Sequence, residues 1–398
     1  MQLSIIIVNY NVKYYLYQCL ESLRRACQDL EWEVLVIDNQ SSDGSFDYLR
    51  KNYPDGTFKQ LRLIQNKENV GFGRANNIAY AQSRGKYILF INPDTFVGEE
   101  TIKDCLTFML KTPECGCLGV RMLNADGSFA PESRRGTPTP WVSFCKITRL
   151  SVLFPKNKHF GRYYMQHLPI DQTSQIEIVS GAYMMISREV IEKIGLFDED
   201  YFMYCEDTDL SYRMLLAGFH NYYLPSPILH YKGESTRKYS YSFFNTFYKA
   251  ILLFFRKHYN GHISILRIII NIAICILGIG SFIRGKFRKT IYVIKKQFVS
   301  RPLRLLCLSG EANRCVLQEY GKKFDLQIIH FDHPHNSTGL AEAIEKNNPD
   351  YIVFDTSTTD YREILQTTYN LPRHLKRQIA TFYPERNVII TSLHIFAL

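Results

Sequence analysis

Four short clusters of carboxylates, amides and glycines hold the residues able to do chemistry. Glu206-Asp207-Thr208-Asp209 puts three carboxylates in four positions. Acidic side chains at a helix start match the helix dipole, but three exceed what capping needs, and one suits a general base over an acceptor hydroxyl. Asn92-Pro93-Asp94 follows an apolar run. A carboxylate there suits a hard cation, Mg²⁺ or Mn²⁺, that also takes diphosphate oxygens. In Asn69-Val70-Gly71-Phe72-Gly73-Arg74-Ala75-Asn76-Asn77 the glycines allow close backbone approach and the helix start favours anions, with Arg74 placed to meet a diphosphate. Asp38-Asn39-Gln40-Ser41-Ser42-Asp43-Gly44-Ser45, with Asn9 upstream, is a polar turn able to take hydrogen bonds from a base or a ribose. Each cluster also has an ordinary reading, as a helix cap, a Pro-Asp turn or a loop arginine.

The elements that must position these clusters alternate between strand and helix over the first 235 residues. Apolar runs predict strands at 3–8, 33–38, 61–65 and 86–91, and helical spacing predicts helices at 13–27, 73–84 and 206–217. Tyr15, Leu16, Cys19, Leu20 and Leu23 fall on one face of the first helix. In a mostly parallel α/β sheet, ligands sit beyond the carboxyl ends of the strands, which is where Asn9, Asp38 and Asp94 fall. Residues 124–175, with prolines at 131, 138, 140, 155 and 169, read as loops forming a mobile flap.

The clusters occur in an order that resembles a known family. Asp38-Asn39-x-Ser41-x-Asp43-Gly44, Asn69-x-Gly71-Phe72-x-x-Ala75-Asn76-Asn77, Asn92-Pro93-Asp94, Gly181-Ala182, Met203-Tyr204-x-Glu206-Asp207-x-Asp209-Leu210 and His230-x-x-Gly233-x-Ser235 follow one another. This pattern resembles the family 2 inverting glycosyltransferases with the GT-A fold, and most of all the branch named rhamnosyltransferases. The resemblance covers about the first 235 residues. It implies that Asn9 and Asp38 contact the nucleoside, and that Asn69, Arg74, Asn76 and Asn92 line the donor pocket. Gly181 and Ala182 would lie beside the donor sugar and the acceptor. Asp94 would be the metal ligand of the family's D-x-D motif, and His230 would close on the diphosphate or metal. Asp207 would be the catalytic base, with Glu206 shaping the acceptor site. Asn92 stands where the family often has an aspartate, so the cation would rest on a single carboxylate. The implied reaction moves one sugar from a nucleotide diphosphate sugar to a hydroxyl of a lipid-linked glycan in cell-surface polysaccharide synthesis. Processive members of the family carry a Q-x-x-R-W motif and several membrane spans, and neither is visible.

Charge is uneven. Residues 235–310 hold fourteen of the 48 Lys and Arg and no Asp or Glu, so the remaining 34 cations are outnumbered by the 38 acids elsewhere. A local basic segment argues against general nucleic-acid binding and for an anionic membrane surface. Its most apolar part, 268–283, reaches only ~24 Å as a helix against a hydrocarbon core of ~30 Å. The segment is therefore expected to be interfacial or re-entrant rather than spanning, with a buried helix between two domains as the alternative. Met1-Gln2 leads straight into an apolar strand, with no basic leader or cleavage site. The ten cysteines include no C-x-x-C pair, which reads as reduced, buried thiols. Together these predict a peripheral or re-entrant position on the cytoplasmic face of the inner membrane.

The expected organisation is a catalytic α/β domain at 1–235, a basic apolar helical segment at 236–300 and a small Rossmann-like α/β domain at 301–398. Strands are predicted in the last at 304–308, 326–330, 351–355 and 388–390, without a G-x-G-x-x-G signature. His330, Asp332, His333 and His335 read as polar surface rather than a metal site. A sugar nucleotidyltransferase or a dehydrogenase would need a glycine-rich loop after the first strand, and Asn9-Tyr10-Asn11-Val12-Lys13 has none. A non-catalytic scaffold with a transferase fold is the remaining alternative, and the retained Asp38, Asp94, Asp207 and His230 speak against it.

Overall fold

The computed structural model describes residues 1–54, 57–231, 241–259, 301–331 and 337–398. Strands β1 (Leu3–Asn9) and β2 (Trp32–Asp38) are buried at every position, as near-continuous Ile, Leu and Val dictate for parallel strands covered on both faces. Strands β3 (Leu61–Gln65) and β4 (Tyr87–Ile91) pair parallel to β2 and β1. With β5 (Thr95–Val97), β6 (Cys115–Leu123), β7 (Ser174–Ile176), β8 (Tyr183–Ser187) and β9 (His220–His230) they make a nine-stranded sheet. Its order is β3-β2-β1-β4-β8-β6-β9-β5, with β7 on β9. The carboxyl ends of β2, β1 and β4 thus lie side by side. β5 returns antiparallel to β9, placing Thr95 opposite His230.

Helices α1 (Lys13–Ala26), α2 (Ser45–Asn52), α3 (Phe72–Tyr80) and α4 (Thr101–Lys111) follow the first strands. Leu16, Cys19, Leu20 and Leu23 of α1 enter the core against the sheet. Tyr15, predicted on that same face, instead joins Tyr17 in a second apolar cluster shared with the C-terminal part of the chain. The helix is covered on two sides, which a single amphipathic stripe does not reveal.

Residues 124–175 are not loop throughout. They contain α5 (Pro140–Ile147) and α6 (Leu150–Leu153). Thr139 caps α5 by accepting from the Val142 N–H (3.2 Å), and Pro140 occupies the first helical position, where a missing N–H costs nothing. A proline that reads as a loop signal is here a helix start. Helices α7 (Arg188–Ile194) and α8 (Glu206–Leu216) complete the domain.

The basic segment is described only as α9 (Tyr241–His258) and Tyr259, so the 268–283 run lies outside the described residues. Helix α9 packs against the part of the chain built on the first sheet. Phe254 is buried beside Tyr201 and Tyr212, Lys257 pairs with Asp198 and Asp200, and His258 Nε2 lies 2.7 Å from Asp209 Oδ1. Among the described residues no helix is long and apolar enough to cross a membrane.

A second sheet has the order β11-β10-β12-β13-β14-β15. Its strands are β10 (Leu303–Leu308), β11 (Leu326–Phe331), β12 (Tyr351–Asp355), β13 (Gln378–Tyr383), β14 (Val388–Ile390) and β15 (Ile395–Ala397). Polar Gln378 and small Ala380 and Thr381 hide β13 from a reading by apolar runs, yet only its first residue is not buried. This sheet is fastened to the first. Gln18 Nε2 donates to Thr381 Oγ1 (2.9 Å), Tyr15 Oη to the Thr391 carbonyl (2.7 Å), and the Ile379 N–H to the Ala125 carbonyl (2.7 Å). Glu99 accepts from the N–H groups of Tyr361 and Arg362 (2.9 and 2.7 Å), so a carboxylate from one part caps a helix of the other. Phe96 of β5, Leu229 of β9 and the adjoining Tyr231 lie in the shared cluster. The C-terminal part thereby backs the strands that carry Asp94 and His230.

Candidate active site

A cavity of about 320 Å³ opens at the carboxyl ends of β1, β2 and β4. Eight of the residues singled out in the sequence line it: Asn69, Asn92, Asp94, Gly181, Ala182, Glu206, Asp207 and His230. Asn9 and Asp38 do not. Asn9 Nδ2 donates to Asp38 Oδ1 (2.7 Å) and Ser45 Oγ (2.7 Å), and Asp38 Oδ2 accepts from the Ser41 N–H (3.0 Å). The side chain that reaches the cavity from this turn is Asn39, which donates to Asn69 Oδ1 (2.8 Å) and accepts from Asn66 (3.0 Å) and the Val70 N–H (3.1 Å). An amide ladder ties β2 to the loop before α3.

Arg74 and Asn76 are not brought to the cavity. Arg74 is exposed and faces Glu199 (3.6 Å). Asn76 is buried and donates to the Phe72 carbonyl of its own helix (2.9 Å). The glycine signal has a different use. Gly71 has φ +86°, and a Cβ there would sit 2.5 Å from the Phe202 carbonyl oxygen, the atom that accepts from the Phe72 N–H (2.8 Å). What approaches closely is the loop carrying Met203 and Tyr204, which then turn into the cavity. Tyr204 and Cys205 both take positive φ (71° and 64°), a strained entry that delivers Glu206 and Asp207 at the first turn of α8.

Asp207 is held from two sides. Its Oδ2 accepts from Arg135 Nη2 (2.5 Å) and from the Gly181 N–H (2.9 Å), while Thr208 Oγ1 contacts Oδ1 (3.1 Å). A Cβ at residue 181 would sit 3.3 Å from the Asp207 Cβ, so glycine lets the backbone reach the carboxylate. Burial works against the Arg135 charge, but Asp207 outweighs it and raises the guanidinium pKa. Arg135 was missed because it lies in the proline-rich stretch. The adjacent Arg134-Arg135 pair was the available signal, though Arg134 is turned away to the carbonyls of Leu168 and Pro169.

Glu206 differs from its neighbour. It is buried, and its Oε2 has no hydrogen-bond partner among the described residues. Burial, then the charge of Asp207, pushes its carboxyl up to about 8. That shift favours the protonated form, which can donate a hydrogen bond into the cavity. A raised folded-state pKa gives stability that is full below the ordinary carboxyl value and lost as pH rises through the folded one. The Glu206 contribution to stability should therefore decline between about 4.5 and about 8. Thermal unfolding of Glu206→Gln across that window should show a shallower decline than wild type. Parallel curves would show that Glu206 titrates normally.

His230 Nε2 stands 3.2 Å from Asp94 Oδ1 and 3.4 Å from Asn92 Nδ2. His230 Nδ1 is buried with no hydrogen-bond partner among the described residues. One carboxylate, one imidazole and one amide fit a divalent cation that completes its shell with substrate oxygens. Among the described residues no three His, Cys, Asp or Glu side chains are grouped to hold an ion by themselves. His330 is hydrogen-bonded to Gln318 (3.0 Å), and Asp332, His333 and His335 lie outside the described residues. The nine described cysteines are free thiols.

Residues 4–195 match the family model described as Glycosyl transferase family 2. An N-acetylglucosaminyl-diphospho-decaprenol L-rhamnosyltransferase of Mycobacterium tuberculosis is 28% identical over 271 residues, covering 65% of this chain and 85% of that protein. Rhamnosyltransferase WbbL of Escherichia coli is 28% identical over 243 residues, covering 59% of this chain and 85% of that protein. Among solved structures, the mannosyltransferase PcManGT of Pyrobaculum calidifontis, in complex with GDP-Man and Mn²⁺, is similar at 16% identity and a TM-score of 0.44. That match covers 64% of this chain and 63% of the solved one. Residues 4–195 thus match a family 2 glycosyltransferase domain, and the chain is similar in sequence to rhamnosyltransferases.

Proposed function

We propose that this chain moves a single sugar from a nucleotide diphosphate sugar to a hydroxyl of a lipid-linked glycan acceptor, with inversion at the anomeric carbon, in cell-surface polysaccharide synthesis. It would work as a peripheral protein at the cytoplasmic face of the membrane. The observation that carries the reading is that the Glu206–Asp207 and Asp94–His230 pairs line one cavity. A base and a seat for a leaving diphosphate are the two parts that a single displacement needs. The likeness to a rhamnosyltransferase named for a decaprenol-linked acceptor supports the lipid-linked class.

Arg135 and the Gly181 N–H fix the Asp207 carboxylate, so that it can take the proton of the attacking hydroxyl without first reorienting. Protonated Glu206 is placed to donate to a neighbouring hydroxyl. Asn39 and Asn69 present amides on the side of the cavity nearest the nucleoside turn. Asp94 and His230, with Asn92, would hold Mg²⁺ or Mn²⁺. When bound, the cation offsets the charge that develops on the departing diphosphate. The C-terminal sheet, packed behind Phe96 and Leu229, keeps that pair in place. Transfer by the purified chain, with the anomeric configuration of the product determined, tests the reading.

A further inference from the structure

Helices α5 and α6 form a short hairpin turning at Arg149, which takes φ 63°. Their inner faces are anchored by Val142, Cys145 and Ser151. Their outer faces carry Trp141, Phe144, Ile147, Val152, Leu153 and Phe154, all exposed. These six are half of the twelve large hydrophobic side chains exposed among the described residues, gathered within fourteen positions. Their rings touch one another. Trp141 stacks on Phe144 (5.7 Å), and Phe160 bridges Trp141 (6.0 Å) and Phe154 (5.5 Å). A soluble surface gains nothing from such a patch, which marks a binding face.

The charge around the patch says what it binds. From Ser133 to Ile170 the sequence has no Asp or Glu, while Arg149, Lys156 and Lys158 rise exposed at its edge. Apolar and aromatic side chains ringed by cations suit the headgroup boundary of an anionic bilayer, where rings enter the interface and cations meet phosphate. The hairpin also lies close to the reacting centre. Lys146 of α5 sits over the Tyr163 ring (3.3 Å), the Tyr163 carbonyl accepts from the Gly136 N–H (3.1 Å), and the preceding residue is Arg135, which holds Asp207.

We infer that the α5–α6 hairpin is a membrane-docking surface built into the catalytic domain itself, seating the cavity mouth against an anionic lipid surface. Its usefulness rests on the lipid-linked acceptor proposed above, but its test does not need turnover. Only two tryptophans are present, and Trp32 is buried, so a vesicle-induced change in emission reports on Trp141. The full chain is mixed with vesicles of equimolar phosphatidylglycerol and phosphatidylcholine, and with phosphatidylcholine alone. Trp141 emission should shift to the blue and be quenched by brominated acyl chains with the anionic vesicles, more weakly at high salt. Joint Trp141→Ser, Phe144→Ser and Phe154→Ser substitution should lower the partition coefficient at least about tenfold while donor hydrolysis persists. Sedimentation with vesicles but unchanged Trp141 emission would place docking elsewhere on the chain and overturn the inference. Absence of vesicle binding would overturn it too. So would Trp141 emission that is already blue-shifted in buffer and depends on protein concentration, which would assign the patch to a second copy.

Discussion

Asp207→Asn should lower the rate of sugar transfer by at least ~10²-fold, a loss of about 2.7 kcal/mol of transition-state stabilisation, while nucleotide diphosphate binding stays near the wild-type value. The substitution is close to isosteric. The amide oxygen can occupy the Oδ2 position and keep the hydrogen bonds from Arg135 and the Gly181 N–H, leaving the amide NH₂ where Oδ1 stood. The shape of the site therefore survives and only proton acceptance is removed. Separate measurement of kcat and of the dissociation constant for a nucleotide diphosphate distinguishes this from general damage. Wild-type turnover in the variant would remove Asp207 as the base.

Asp94→Ala should weaken nucleotide diphosphate binding and reduce turnover by a comparable factor. Among the described residues Asp94 supplies the carboxylate paired with His230, and a divalent cation bound by an imidazole and an amide alone would be held poorly. The Tyr231 N–H bond to the Asp94 carbonyl (3.0 Å) does not depend on the side chain, so the β5–β9 pairing should persist. Chelator should produce the same loss in wild type and no further loss in the variant. Calorimetric titration with nucleotide diphosphate, with and without chelator, checks both statements. Binding that survives substitution and chelation alike would dismiss Asp94 as an ion ligand.

The parts of the molecule legible in the sequence are those where one signal dominates. Strands β1, β2 and β4 are near-continuous apolar runs, and they appear where such runs must be buried. Glu206 and Asp207 stand out because three acids in four positions exceed what a helix start asks for. Arg74 and Asn76 were drawn toward the donor by their motif, but a motif fixes neither where a long side chain points nor whether an amide turns back on its own helix. Arg135 was hidden because its partner lies 72 positions along the chain, and no local pattern encodes that pairing. Strand β13 was hidden because its burial comes from neighbouring strands and α1 rather than from its own composition. The same long-range packing divides α1 between two cores.

The central claim is a single displacement at the anomeric carbon, and the stereochemistry of the product tests it most directly. The purified chain is supplied with nucleotide diphosphate sugars, a divalent cation and a lipid-linked glycan acceptor, and the new glycosidic linkage is assigned by nuclear magnetic resonance. An anomeric configuration opposite to that of the donor is the result the Asp207 geometry predicts. A linkage that retains the donor configuration would contradict the account.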